Sequence, residues 1–194
     1  VMGLTLVLLV GKFDLSLESI FGLAPMVGAF LFLTLPNSTT LGLLNSPFMA
    51  LLGMFAAGAL AGAVNGVLVV YLKFNAFIAT LATLILMRGI AVGISKGETL
   101  SSLPEPITWL GQAQLGGIPV SLIVALAVLA GLTWFLNRHR GGRAIYAIGG
   151  NAEAARVAGI RVERVTFLVF IAAALLATLA GLLQVGRDDL AHAL

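Results

Sequence analysis

The sequence lacks cysteine altogether and is poor in charged residues. Without cysteine the chain cannot form disulfides, iron–sulfur clusters or cysteine-ligated zinc sites. Charged residues make up 10% of the 194, whereas soluble domains have about a quarter. So few charges cannot coat a water-soluble globule, and 60% of the residues are apolar. The lipid bilayer is therefore the better solvent for most of this surface, which indicates a membrane protein.

Two further absences limit the chemistry of the chain. No P-loop of the form G-x-x-x-x-G-K-[ST] occurs, so any ATP hydrolysis must belong to another chain. The two histidines, His139 in an arginine-rich loop and His192 near the end, suggest no nucleophile–base pair. We therefore expect a protein that is not an enzyme, with no metal site and no cofactor of its own.

Long apolar runs predict the architecture. After an opening half-span the sequence contains five candidate spans: Ser19–Leu35, Phe48–Leu72, Ala76–Ile94, Gly117–Leu136 and Val165–Val185. At 1.5 Å per residue a helix of such length can cross about 30 Å of hydrocarbon. The runs do not alternate as barrel strands do. We predict an all-α, polytopic transmembrane helical bundle forming a single domain over residues 1–194. The half-span suggests a piece of a longer protein.

The basic residues predict the orientation. Six of the eleven lie between the last two spans, which places Asn137–Arg164 in the cytoplasm by the positive-inside rule. Alternation then places Ser95–Gly116 outside, Lys73–Asn75 inside, Pro36–Pro47 outside, and Gly11–Glu18 inside or at the inner edge. The excess of basic over acidic residues is thus a sign of membrane topology. Since no aromatic residues are interleaved with the arginines, we expect no nucleic-acid partner.

A few residues within the spans stand out. Three glycines, Gly58, Gly62 and Gly66, repeat at a spacing that puts them on one helix face, where another backbone can approach closely. Asn65 is explained either by an interhelical hydrogen bond or by a pore-lining role. Arg88, about 18 Å into its helix, either extends toward the outer interface or lines a substrate path.

In the loop between the last two spans, Gly149 and Gly150 are expected to break the chain, and a short helix is predicted after them. Asn151 is a suitable N-cap, Glu153 lies in the first turn, Arg156 lies near the C-terminal end, and Gly159 can end the helix. A lipid-binding helix needs large apolar side chains, whereas small ones fit a protein cleft. We therefore predict docking to a cytoplasmic partner through a smooth face of small residues, Ala154, Ala155 and Ala158.

Three segments carry a family resemblance. GRAIYAIGGNAEAARVAGIRVERV resembles the coupling loop of permeases in ATP-binding-cassette (ABC) importers of the ribose/xylose/arabinose/galactoside class. FIATLATLILMRGIA and GKFDLSLESI resemble further family segments and keep the family order. Glu153, Ala154, Ala155 and Gly159 are similar to the wider importer signature for ATPase contact. The chain departs from the family at Ala76, where proline is usual, at Glu18, where glycine is common, and after Gln184.

The resemblance implies a function and partners. It implies a permease of about ten spans in the bacterial inner membrane that carries a pentose or hexose delivered by an extracytoplasmic binding protein. Two ATPase subunits, which hold ATP and Mg²⁺, and a second permease subunit would complete the importer. The ATPase-coupling residues would be Asn151, Glu153, Ala154, Ala155, Arg156 and Gly159.

Two questions stay open in the sequence. A sugar pathway needs hydroxyl partners and aromatic platforms, for which the candidates are Asn65, Phe77, Thr80, Thr83 and Arg88. Related permeases carry other small polar solutes, so the sugar is not fixed. The alternative function is a secondary transporter or channel without an ATPase, although the spans show neither coupling carboxylates nor a filter.

Overall fold

The computed structural model describes residues 1–32, 47–97, 100–101, 105–188 and 190–191. Its helices are α1 (Met2–Leu9), α2 (Leu17–Phe32), α3 (Pro47–Gly66, continued by a π-helical turn, Val67–Tyr71), α4 (Ala76–Ser95), α5 (Glu105–Gln112), α6 (Val120–Arg138), α7 (Arg140–Gly150), α8 (Ala152–Val157) and α9 (Val162–Asp188). Strand β1 (Leu100–Ser101) pairs antiparallel with β4 (Leu190–Ala191), and β2 (Gln114–Leu115) with β3 (Ile118–Pro119). The predicted all-α fold is confirmed.

Four helices in the described part of the chain are long and apolar enough to cross a membrane: α3 with its π-helical turn, α4, α6 and α9. Their bounds agree with the predicted spans to within a few residues. The remaining prediction, Ser19–Leu35, corresponds to the shorter apolar helix α2. Residues 33–35 and the predicted outer loop at 36–46 lie outside the described residues.

Helix α9 lies at the centre of the bundle, in contact with α1, α2, α3 and α5. Its contact with α3 is close because the α3 glycines have no side chains. A Cβ on Gly62 would lie 2.6 Å from the Cβ of Ala174 and 2.8 Å from the carbonyl oxygen of Phe170. One on Gly66 would lie 2.6 Å from the ring of Phe167. The α3 glycines therefore lie where α9 approaches most closely.

The connecting segments meet at two opposite ends of the bundle. At one end, the Tyr71 ring lies 5.6 Å from that of Phe167 in the first part of α9, and Gly149 of α7 packs against the Leu9 carbonyl. At the other end, Gly111 of α5 contacts the last turns of α9. The turn after α3, the end of α1 and the α7–α8 segment therefore share one end, as the predicted alternation requires.

Helix α7 corrects the prediction that Gly149 and Gly150 break the chain. The helix includes both glycines and ends only at Asn151. Its Ile145 and Ile148 are buried in the same core cluster as Phe170. Packing of this apolar face compensates the low helix propensity of glycine, and the missing side chain of Gly149 permits the contact with α1.

Candidate functional site

The short helix α8 forms as the sequence predicts. The Asn151 side-chain oxygen accepts a hydrogen bond from the Ala154 N–H at 3.0 Å, which caps the first turn. Gly159 has a φ of +84°, a left-handed conformation that other residues rarely adopt, and its N–H donates to the Arg156 carbonyl at 3.0 Å. Both ends of α8 are therefore fixed by local chemistry.

Arg156 connects α8 to α9. One guanidinium nitrogen lies 2.5 Å from Glu153 Oε1, and another lies 2.5 Å from Oε1 of Glu163 in the first turn of α9. These carboxylates raise the pKa of Arg156, and the hydrogen bond to Glu153 has a larger effect than that to Glu163. The Arg156–Glu163 contact was not predicted, because helical spacing says nothing about a pair across the turn between two helices.

The structure corrects the predicted alanine face of α8. Ala155 is buried in the core cluster, since a helix lying against α7 and α9 must turn one side toward the bundle. Ala154 and Ala158 face outward, and between them Val157 is 89% exposed. We call Ala154, Val157 and Ala158 the α8 docking face. Val157 is its largest side chain.

The second notable region is the break between α1 and α2, at residues 10–16. Inside it, the N–H and the hydroxyl of Ser16 both donate to Asp14 Oδ1, at 2.9 and 2.6 Å. The Asn65 amide donates to the Ser16 hydroxyl at 2.5 Å, and the Leu15 N–H donates to the Thr80 hydroxyl at 3.1 Å. Non-helical backbone is thereby anchored to α3 and α4.

The predicted pathway residues fall into two groups. Asn65, Thr80 and Thr83 are buried, and Thr83 donates to the Thr80 carbonyl at 3.1 Å. Burial favours the interhelical hydrogen bond as the explanation of Asn65. Phe77 and Arg88 are instead exposed on α4. Their role in a pathway stays a prediction.

The exposed pair on α4 has partners in the 10–18 segment. The Phe77 ring lies 6.5 Å from that of Phe13, and Arg88 lies 4.0 Å from the carboxylate of Glu18. Glu18 therefore lies beside the middle of α4, and the prediction that it lies inside or at the inner edge is wrong. The physical reason is the break itself, which lets the chain turn back and start α2 partway along α4.

The sequence of the chain matches a known family over almost its whole length. The family model described as "Branched-chain amino acid transport system / permease component" matches residues 1–191. The chain belongs to this permease family. It is therefore related to multi-pass membrane transport proteins, in agreement with the four long apolar helices among the described residues.

Curated relatives of the chain include transport permease proteins whose names specify several small solutes. The chain is 34% identical to the ribose import permease protein RbsC of Escherichia coli (strain K12), over 95% of the chain and 56% of that protein. It is 34% identical to the L-arabinose transport system permease protein AraH of the same strain, over 95% of the chain and 54% of that protein. It is 38% identical to the autoinducer 2 import system permease protein LsrC of Enterobacter sp. (strain 638), over 93% of the chain and 50% of that protein.

The chain thus spans about half the length of the curated relatives it matches. No solved structure matches it.

Proposed function

We propose that the chain is part of the membrane-spanning permease subunit of an ABC importer in the bacterial inner membrane. The permease carries a monosaccharide that an extracytoplasmic binding protein delivers, and a separate ATPase with ATP and Mg²⁺ drives it. A second permease subunit and the surrounding lipid complete its contacts. The arginines of residues 137–164 favour a cytoplasmic position for the α7–α8 segment.

One observation supports this function above the others: α8 is a short helix, fixed at both ends, with an exposed apolar face. Its N-terminus is capped by Asn151, and Arg156 connects it to α9. An 89% exposed valine flanked by alanines fits a shallow protein cleft. A partner that pushes on this face moves the first turn of α9, so a closing ATPase can shift the central helix of the bundle.

The relatives, and not the geometry, support the proposed substrate class. The names of two of them specify ribose and L-arabinose, and the family description specifies branched-chain amino acids. We favour a pentose or hexose because the segments quoted above resemble the sugar permeases. Uptake of ribose, L-arabinose and leucine in one strain separates these classes.

Val157→Asp tests the coupling role. A buried carboxylate without a partner opposes docking, so the variant permease should insert into the membrane but lose its ATPase subunit on purification, and uptake should fall to background. Leu115→Asp is the matched control: Leu115 is also exposed, at 59%, but lies at the opposite end of the bundle. Wild-type ATPase binding by the Val157 variant would contradict the proposal. Uptake that persists after deletion of the ATPase would favour a secondary transporter.

A further inference from the structure

The Glu18–Arg88 pair lies at membrane depth. Arg88 is twelve residues beyond Ala76, the first residue of α4, so it lies about 18 Å along a helix that spans about 30 Å. Glu18 reaches it from the first turn of α2, where Ser19 also approaches Met87. Both charges are therefore level with the middle of the hydrocarbon, far from either end of α4.

The pair is not enclosed by this chain. The side chain of Arg88 is 52% exposed and that of Glu18 is 69% exposed. Charged groups are costly in hydrocarbon, so ionisable side chains at this depth face water or polar protein. The surface outside Glu18 and Arg88 is therefore hydrophilic when the permease is assembled.

The backbone beside the pair leads to the same conclusion. Residues 11–16 are not helical: Phe13 lies beside Phe77 at the start of α4, Leu15 bonds to Thr80 one turn farther along, and the stretch leads into the first turn of α2. Irregular backbone at membrane depth is tolerated where protein buries it or where it lines a water-filled cavity. A cavity of 530 Å³ adjoins this stretch on its other side: Phe13, Asp14 and Glu18 line it together with apolar residues of α1, α6 and α9, and its described lining includes no residue of α4. Its volume lies within the range of about 300–1,000 Å³ found for small-molecule sites.

The exposed groups form one continuous strip. Phe77, Leu81 and Arg88 lie on the same face of α4, because their spacing of four and seven residues returns to one side of a helix. Phe13 and Glu18 lie beside the two ends of this row. We call these five residues the α4 strip. The ring pair lies about 16 Å from the ion pair along α4.

We propose that the α4 strip lines the translocation path and that Glu18 and Arg88 form a binding site for the hydroxyl groups of an uncharged polyol. The pair is neutral overall, so it does not select a charged solute. The carboxylate accepts hydrogen bonds and the guanidinium donates them, which matches hydroxyls that do both. The Phe13–Phe77 rings supply an apolar platform farther along. This assignment rests on the proposed function, and it adds the site where the sugar is held.

Cysteine accessibility tests the path directly, because the chain has no native cysteine. In the assembled importer in membranes, Glu18→Cys and Arg88→Cys should react with a positively charged methanethiosulfonate reagent, and ribose-loaded binding protein with ATP should slow the reaction. Leu86→Cys is the control: it has the same depth and 61% exposure but lies on the other flank of α4, so it should react slowly. Equal rates at Arg88 and Leu86 would overturn the proposal.

Uptake of ribose and L-arabinose separates a binding role from simple charge neutralisation. Glu18→Gln, Arg88→Gln and the double variant should each assemble with the ATPase and lower the maximal uptake rate at least tenfold. The binding-protein concentration at half-maximal rate should stay the same, since docking is remote from α4. Full uptake by the double variant would mean that the two charges only neutralise each other and do not bind the substrate, and the inference would fail. If instead the wild-type permease shows no ATP-dependent uptake while Arg88→Cys is still accessible, the proposed function fails and the hydrated strip stands.

Discussion

The two helices that flank the α7–α8 segment, α6 and α9, are both long and apolar but are packed very differently. Of the most apolar stretch of each helix, 44% is buried in α9 and 6% in α6. α9 lies among four other helices, whereas α6 contacts mainly α5 and α7. Within the described chain, a displacement of α8 can therefore reach the core through α9. Helix α6 packs against too few residues to transmit such a displacement.

Connections to the α7–α8 segment strengthen this contrast. On the α9 side, Arg156 spans the turn and pairs with Glu163. On the α6 side, His139 ends one helix and caps the next, its ring stacked on Phe135 and its Nδ1 accepting from the Gly141 N–H at 3.0 Å. The α9 connection joins two separate helices by charge. The α6 connection is local.

The largest expected effect comes from closing the α3–α9 contact. Gly62→Leu places a side chain where the Ala174 Cβ and the Phe170 carbonyl already lie, so the helices must separate. We expect at least the destabilisation typical of an overpacked core, about 1–3 kcal/mol. It should appear as a lower Tm of the purified permease and a loss of uptake.

Gly131→Leu in α6 is the matched variant, because a Cβ there meets nothing within 4 Å. Its Tm should stay near that of the wild type. Similar losses in both variants would show that α6 is as tightly packed as α9 in the assembled permease, and the contrast between the two helices would disappear.

A smaller but more specific effect is expected at Arg156. Arg156→Gln removes the connection between α8 and α9, and uptake should fall about fivefold or more, the lower range of energetic coupling between sites. The Tm should change little, since exposed ion pairs add little stability. Measuring uptake and ATPase copurification together separates lost transmission from lost docking.

A charge exchange identifies the Arg156 partner. Arg156→Glu combined with Glu163→Arg should recover part of the uptake that either change removes, because the pair is restored in reverse. No recovery in the double variant, with the ATPase still bound, would exclude Glu163 as the group through which Arg156 acts.

The smallest effect is expected at the hydrogen bond that anchors the break before α2. Thr80→Val leaves the Leu15 N–H without its acceptor, and because this N–H is only partly buried the loss should be that of a typical hydrogen bond, about 0.5–1.5 kcal/mol. Thr133→Val in α6 is the control, since its exposed hydroxyl bonds only to the Leu129 carbonyl of its own helix. A modest fall in Tm should be seen for the Thr80 variant alone. Equal Tm values for the two variants would mean that the break at residues 10–16 does not depend on its hydrogen bond to α4.

Local features of the candidate site could be read from the sequence. The cap at Asn151, the end of α8 before Gly159 and the spacing of the α3 glycines depend on short-range chemistry or on periodicity, so each can be recognised along the chain. The errors arose where a helix meets the rest of the bundle. Ala155 faces inward because of the neighbours of α8, and Gly149 stays helical because α1 packs against α7.

The sequence by itself determined that this chain belongs in a membrane, that it crosses as helices, and where most of those helices begin and end. Hydrophobic length and helix capping are properties of consecutive residues, so they need no knowledge of the fold. Tertiary structure alone decided that Glu18 meets Arg88, that Arg156 reaches Glu163, and that α9 and not α6 is central. Those pairings depend on where the backbone breaks and which helix faces meet, and no spacing along the chain records either.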